Sequence, residues 1–331
     1  MVPGVKGWPA AGAPYARRVL VALCGGVGAA RMLSGLVRVL PAQDLTAIVN
    51  VGDDMELHGL HISPDLDTVT YTLAGMDNRE TGWGVAGETW AVMDELARLH
   101  GEDWFRLGDR DLATHLYRTG RLRAGATLSA VTSELCERRG IDIQLSPVTD
   151  DVLRTRVTLA EASELGPAGL EVGFQDYFVR LRYGVAVRRV RFEGAESARP
   201  APGVLASLGA ARRIVVCPSN PVVSIGPLLA VPGVLDALTA RREDVIAVSP
   251  IVAGAALKGP ADRLLRELGT EASVVGVARL YAPWVGTLVV DEADAGLSAN
   301  VEAEGLRCVV TGTVMTSPER AASLARVVLH A

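Results

Sequence analysis

Four carboxylates, Asp53, Asp54, Asp65 and Asp67, lie within fifteen residues and follow a glycine-rich loop, Gly25-Gly26-Val27-Gly28-Ala29-Ala30-Arg31. Both features point to phosphate chemistry. Glycine lets a backbone approach a phosphate closely, and the N-terminus of the helix that follows offers free N–H groups and a partial positive charge. No Gly-Lys-Ser/Thr follows the loop, which disfavours a Walker-type NTPase. A dinucleotide fingerprint wants glycine where Arg31 stands, although Asp53 lies at the right distance for a ribose carboxylate. The same glycines also suit a tight strand-to-helix turn with no ligand.

Carboxylate oxygens without neighbouring thiolates suit a hard cation, Mg²⁺ above all, bridging to substrate phosphates. In an extended "PDLD" segment Asp65 and Asp67 point the same way, because side chains two apart share a face. Either could instead cap the helix read over "TVTYTLAG". His58 and His61 have no third soft ligand nearby and are assigned structural roles. In "FRLGDRDLATHL", Arg106, Asp109, Arg110 and Asp111 precede a helix containing His115. Such clusters are mostly solvated ion pairs, yet an arginine at a cleft edge can fork onto an anionic or carbonyl group. Ser219, Asn220 and Ser224 in "CPSNPVVSIGP", and Ser249 in "VSPIVAGAALKGPAD", are donors at strand ends where prolines fix the loops.

The elements that must position these residues are legible as short apolar runs ending in Gly, Ser, Pro or Asp. They are "RVLVALCGG", "LTAIVNVGDD", "RRIVVCPSNP", "EDVIAVSPIV" and "LRCVVTGTV". With helical patterns between some of them, they predict an α/β fold with a Rossmann-like, mostly parallel sheet over residues 19–331. Ligands in such sheets bind outside the carboxyl ends of the strands, where the polar residues cluster. Residues 75–145 read as a helical insertion and 152–194 as a peripheral β-meander. Residues 1–18, broken by Pro and Gly and without a signal-peptide core, read as a disordered tail.

Composition narrows the class further. The chain has 331 residues, 49% hydrophobic, with a net charge of -5, which argues against nucleic-acid or anionic-membrane partners. Four cysteines stand singly (Cys24, Cys136, Cys217 and Cys308) with no CxxC pair, so a zinc ribbon is excluded and a reducing cytoplasm is the default. The uncharged stretch 214–235 carries four prolines and Asn220, which is incompatible with a lipid-exposed helix.

Taken in order, "GGVGAAR", "VNVGDD", "PDLDTVTYTLAG", "GWGVAGETW", "LGDRDLATHL", "PSNPVVSIGP" and "VSPI" resemble the 2-phospho-L-lactate transferase family, CofD, called FbiA in actinobacteria. The "GDRDLATH" and "GETW" pieces separate it from related nucleotide-sugar-binding regulators, the alternative reading within the superfamily. One departure is Gly173 before Phe174-Gln175, where the family usually has His.

The resemblance implies a step in making the deazaflavin coenzyme F-420. A guanosine-diphosphate-activated phosphoenolpyruvate or phospholactate donates its phosphoryl unit to the terminal ribityl hydroxyl of the deazaflavin FO, and GMP leaves. It further implies Mg²⁺ dependence and a homodimer. On this resemblance Gly25, Gly26, Val27 and Gly28 cradle the diphosphate, and Ser219, Asn220, Ser224 and Ser249 line the guanosine side. Asp53, Asp65 and Asp67 hold Mg²⁺, Asp67 and Arg106 face FO, and Asp67 orients or deprotonates the hydroxyl. An NAD-dependent dehydrogenase, with Asp53 on the ribose, is the rival from another class.

Overall fold

Seven parallel strands form the central sheet of the structure, a computed structural model that describes residues 20–78 and 82–331. The expected tail at 1–18 lies outside the described residues. The strands are β1 (Leu20–Cys24), β2 (Leu45–Val49), β3 (Gln144–Pro147), β4 (Arg213–Val216), β5 (Val245–Val248), β6 (Thr287–Val290) and β7 (Arg307–Val310). They pair in the order β3-β2-β1-β4-β5-β6-β7. Every residue of β1, β2, β5 and β6 is buried, which is why these strands read as unbroken apolar runs rather than alternating ones. The five expected runs became β1, β2, β4, β5 and β7. The other two, "QLSP" and "TLVV", are four residues each and carry too little pattern to stand out.

The winding reverses at β1, between β2 and β4, so a crevice opens beyond the carboxyl ends of these three strands. Helix α1 (Gly26–Leu36) starts at that crevice directly from β1, and α2 (Pro64–Leu73) packs against it. The core beneath is dry: Leu20, Val21 and Leu23 are fully buried, so Leu23→Ala would cost about 2–5 kcal/mol.

The 75–145 region contains α3 (Ala91–Arg98), α4 (Asp109–Arg123) and α5 (Leu128–Arg138). The 152–194 region forms a separate antiparallel sheet of Arg154–Leu159, Glu171–Gly173 and Val187–Glu193. Its first strand lies in the middle, so the third strand returns beside the first instead of continuing past the second as a meander does. Among the described residues no helix is long and apolar enough to cross a membrane.

Candidate active site

A cavity of about 710 Å³ occupies the crevice, and all the residues singled out for substrate and metal reach it. Gly25, Gly26, Val27, Gly28, Asp53, Asp65, Asp67, Arg106, Ser219, Asn220, Ser224 and Ser249 all line its wall. They come from elements more than 200 residues apart in sequence, brought together because β1, β2, β4 and β5 end at one edge of one sheet.

The glycine loop is held in place by backbone contacts that exclude side chains. A Cβ on Gly28 would overlap the carbonyl of Pro218, the residue after β4 and Cys217. Gly26 has φ of 72°, a left-handed conformation open to glycine at no steric cost. No side chain of the cap residue Gly25 satisfies the first turn of α1, so the helix N-terminus faces the cavity. One of its N–H groups is spoken for: Gly26 N donates to Asp65 Oδ1 at 2.9 Å.

Asp65 and Asp67 do not share a face. The "PDLD" segment is the first turn of α2, with Ser63 as cap and Pro64 in the first turn. In a helix, residues two apart sit on nearly opposite sides, so the extended-chain expectation fails here. Asp65 turns toward the glycine loop, where Asn50 Nδ2 also donates to its Oδ2 at 2.9 Å. Asp67 turns toward α4, where Arg118 donates to both its oxygens, one of them at 3.1 Å.

Asp53 and Asp54 follow β2 and are both buried. Asp54 Oδ2 accepts from Ser63 Oγ at 2.8 Å and lies 3.0 Å from His61 Nε2, so His61 is structural as expected. His58 has φ of 53° in the turn joining Met55–Leu57 to Leu60–Ile62, which is also a structural position. Asp53 Oδ1 and Asp54 Oδ1 are buried with no hydrogen-bond partner. Burial first, then the charges of Asp65 and Asp54, push the Asp53 carboxyl well above the usual carboxylate range. Burial raises Asp65 to about 6, against hydrogen bonds from Asn50 and Gly26 that lower it. An orphaned buried carboxylate oxygen beside a second carboxylate is a donor set suited to a hard divalent cation.

A second acidic group, Asp67 with Asp111 and His115, places one potential ligand atom from each residue within 4.8 Å of the others. Its chemistry is different, because the Arg118 guanidinium already sits on Asp67. Arg118 also approaches His115 Nδ1 at 3.3 Å, and since a guanidinium can only donate, Nδ1 accepts. That leaves the ring proton on Nε2, 3.2 Å from Asp111 Oδ1 but poorly aligned for a hydrogen bond. The Tyr71 hydroxyl donates to the same Asp111 oxygen. The group is a buried, charge-compensated wall, and a resident positive charge makes it a poor second cation site.

The polar residues at the β4 and β5 ends are largely committed to holding their own loops. Ser219 Oγ donates to the Gly25 carbonyl at 2.8 Å, tying the β4 loop to the glycine loop. Asn220 Oδ1 accepts from Val222 and Val223 N–H at 2.9 and 3.3 Å, capping the π-helical turn Pro221–Ile225. Ser249 closes a turn onto Ile251 in both directions, at 3.0 and 3.1 Å. Arg106 stacks 4.7 Å over Trp90 and donates to Asp94 at 3.1 Å, at the exposed rim. Phe174 and Gln175 line the cavity even though Gly173 stands where the family has His.

Sequence reading passed over three contributions. Asn50, one residue beyond β2, orients Asp65. Asp111, His115 and Arg118 were grouped with surface charges or not named, although their i, i+4, i+7 spacing marks one face of α4. An aromatic wall of Tyr71, Trp83, Trp104, Phe105, Phe174 and Phe178 had no local signal, because its members come from four separate segments.

A parallel sheet with a glycine-led helix N-terminus, paired buried carboxylates and an aromatic wall at its switch point is an arrangement suited to a phosphorylated ligand beside a planar one. The profile of the family described as "2-phospho-L-lactate transferase CofD" matches residues 20–319, and the chain belongs to that family. A phosphoenolpyruvate transferase of Streptomyces griseus is 46% identical over 94% of this chain and 97% of its own length. One from Mycolicibacterium smegmatis is 39% identical over 93% of this chain and 96% of its own. In fold, the chain resembles the crystal structure of a UPF0052 family member from Bacillus halodurans, with a TM-score of 0.58 at 15% identity, over 95% of this chain and 99% of that one.

Proposed function

We propose that this transferase moves a phosphoenolpyruvyl group from its guanosine-diphosphate-activated form to the terminal ribityl hydroxyl of FO, releasing GMP, in coenzyme F-420 biosynthesis. The observation that carries the reading is the single cavity in which glycine loop, buried carboxylates and aromatic wall meet. The names of the relatives favour the enolpyruvyl over the phospholactyl donor. A homodimer in the cytoplasm belongs to the same reading and rests on the family resemblance.

In the proposed reaction the FO hydroxyl oxygen forms a bond to the phosphorus bearing the enolpyruvyl group. The bond from that phosphorus to the oxygen of the GMP phosphate breaks, and the hydroxyl proton is lost. Such a reaction needs positioning and dispersal of negative charge more than covalent help from the protein. Val27 and Gly28 N–H groups in the first turn of α1 receive the diphosphate. Asp53 and Asp65 would hold Mg²⁺, which supplies charge neutralisation at the phosphate oxygens. Asp67, with Arg118 occupying one lone pair of each oxygen, keeps lone pairs free to accept from the FO hydroxyl and orient it. The aromatic wall accepts the flat deazaflavin, with Arg106 at its edge. Ser219, Asn220, Ser224 and Ser249 frame the guanosine side, chiefly by fixing loop shape.

Incubating the protein with FO, Mg²⁺ and each activated donor in turn, with mass analysis of the product and assay of GMP, tests this directly. The dehydro product and stoichiometric GMP are expected. Exclusive formation of the species two hydrogens heavier would assign the phospholactyl donor. Binding of NADH in preference to GDP would overturn the reading.

A further inference from the structure

The cationic groups of the cavity point to a residue that no motif singled out. Apart from Lys6 in the N-terminal segment, Lys258 is the only lysine of the chain, among 33 basic residues. It lies on the cavity wall, just after the hairpin formed by Ile251–Val252 and Ala255–Ala256 beyond β5. That hairpin is anchored: Ser249 closes the turn at its base, and Ala253 N donates to Asp294 Oδ2 at 2.9 Å. The lysine reaches the 75–145 insertion on the same cavity wall, because a Cβ on Gly82 would run into its ammonium group. The next residue, Gly259, lies against Phe178 of the aromatic wall.

Arg106, at the cavity rim, is paired with Asp94 over Trp90, and Arg118, buried off the cavity, is forked onto Asp67. Arg31 and Lys258 have no carboxylate partner among the described residues, and Arg31 stands on α1 beside the glycine loop. The proposed donor carries two anionic parts: a diphosphate, served by the glycine loop and Arg31, and a carboxylate on the group to be transferred. Resting on that proposed reaction, we infer that Lys258 is a positioning residue that binds the donor's carboxylate in the cavity that the glycine loop also lines. An ammonium on a flexible stem suits this task, since it follows a carboxylate that moves with the transferred group where a planar guanidinium would demand a fixed fork.

The test compares the wild type with Lys258→Gln and Lys258→Arg, using enolpyruvyl-diphosphoguanosine as donor, FO as acceptor and GDP as a ligand that lacks the carboxylate. Lys258→Gln should raise the donor KM about tenfold or more and lower kcat by no more than about threefold, as loss of uniform binding does. GDP affinity should stay within about twofold, and Lys258→Arg, which keeps the charge but not the flexible point donor, should recover the donor KM only in part. An unchanged donor KM overturns the inference, as does a loss of GDP affinity equal to the rise in KM. A wild type that transfers nothing from this donor counts against the proposed reaction instead. Direct competition of donor and GDP for binding then still decides Lys258: a donor preference over GDP that vanishes in Lys258→Gln supports it, and none in the wild type overturns it.

Discussion

Asp67 and Arg118, 51 residues apart, meet in a two-pronged ion pair whose side chains are only 6% and 2% exposed. A carboxylate read from sequence as a metal ligand and catalyst thereby also neutralises a buried guanidinium. The Arg118 charge is held firmly on by Asp67 against the cost of burial. Breaking one half of such a pair strands the other half in a place without water.

Asp67→Asn should therefore lose stability as well as turnover. About 3–5 kcal/mol is expected for the single substitution, and a similar loss for Arg118→Met. The double variant Asp67→Asn/Arg118→Met should unfold at a higher denaturant concentration than the additive sum requires. Urea unfolding of the four proteins gives the coupling directly. A silent Asp67→Asn, as expected of a helix cap, would show that the pair contributes nothing.

Replacing Asp53 with Asn should have opposite effects with and without a cation. The substitution keeps the volume and removes a charge that burial and two neighbouring carboxylates disfavour, so the metal-free variant should melt no lower than the wild type. In the wild type, Mg²⁺ at a hundredfold excess over its Kd should add about 2.7 kcal/mol, and in Asp53→Asn nearly none. Melting curves with and without Mg²⁺ check both halves.

Gly28→Ala should cripple nucleotide binding while leaving the sheet intact. The added methyl meets the Pro218 carbonyl, so the glycine loop and the β4 loop must separate. A displacement that costs about 1.4 kcal/mol of binding is a tenfold loss in GDP affinity. Calorimetric titration with GDP, with far-ultraviolet dichroism as the control for folding, measures it.

Trp104→Ala should act on the acceptor alone. Loss of one aromatic face from a stacking wall costs about 1–3 kcal/mol for a planar ring. The KM for FO should rise roughly tenfold while GDP affinity holds. If the two ligands weaken together, the aromatic wall serves the guanine base instead.

The sequence by itself determined five of the seven sheet strands and the polar strand ends around the candidate site. Buried parallel strands are continuous apolar runs, and each such run ends where the next polar loop begins, so Gly25–Gly28, Asp53, Asn220 and Ser249 were placed at strand ends by local pattern alone. Convergence of those ends follows from the winding rule of the fold. Direction and partnership were decided only by the tertiary structure. Asp65 and Asp67 face opposite ways because their segment is helical from Pro64, and a two-residue spacing means one thing in a strand and another in a helix. Asp111 and His115 join the wall of the site, with Arg118 buried against Asp67, because α4 packs beside the start of α2, a contact across roughly fifty residues that no local pattern encodes. Lys258 meets Gly82 for the same reason: the β5 hairpin and the 75–145 insertion are distant in the chain and adjacent only once the sheet has formed.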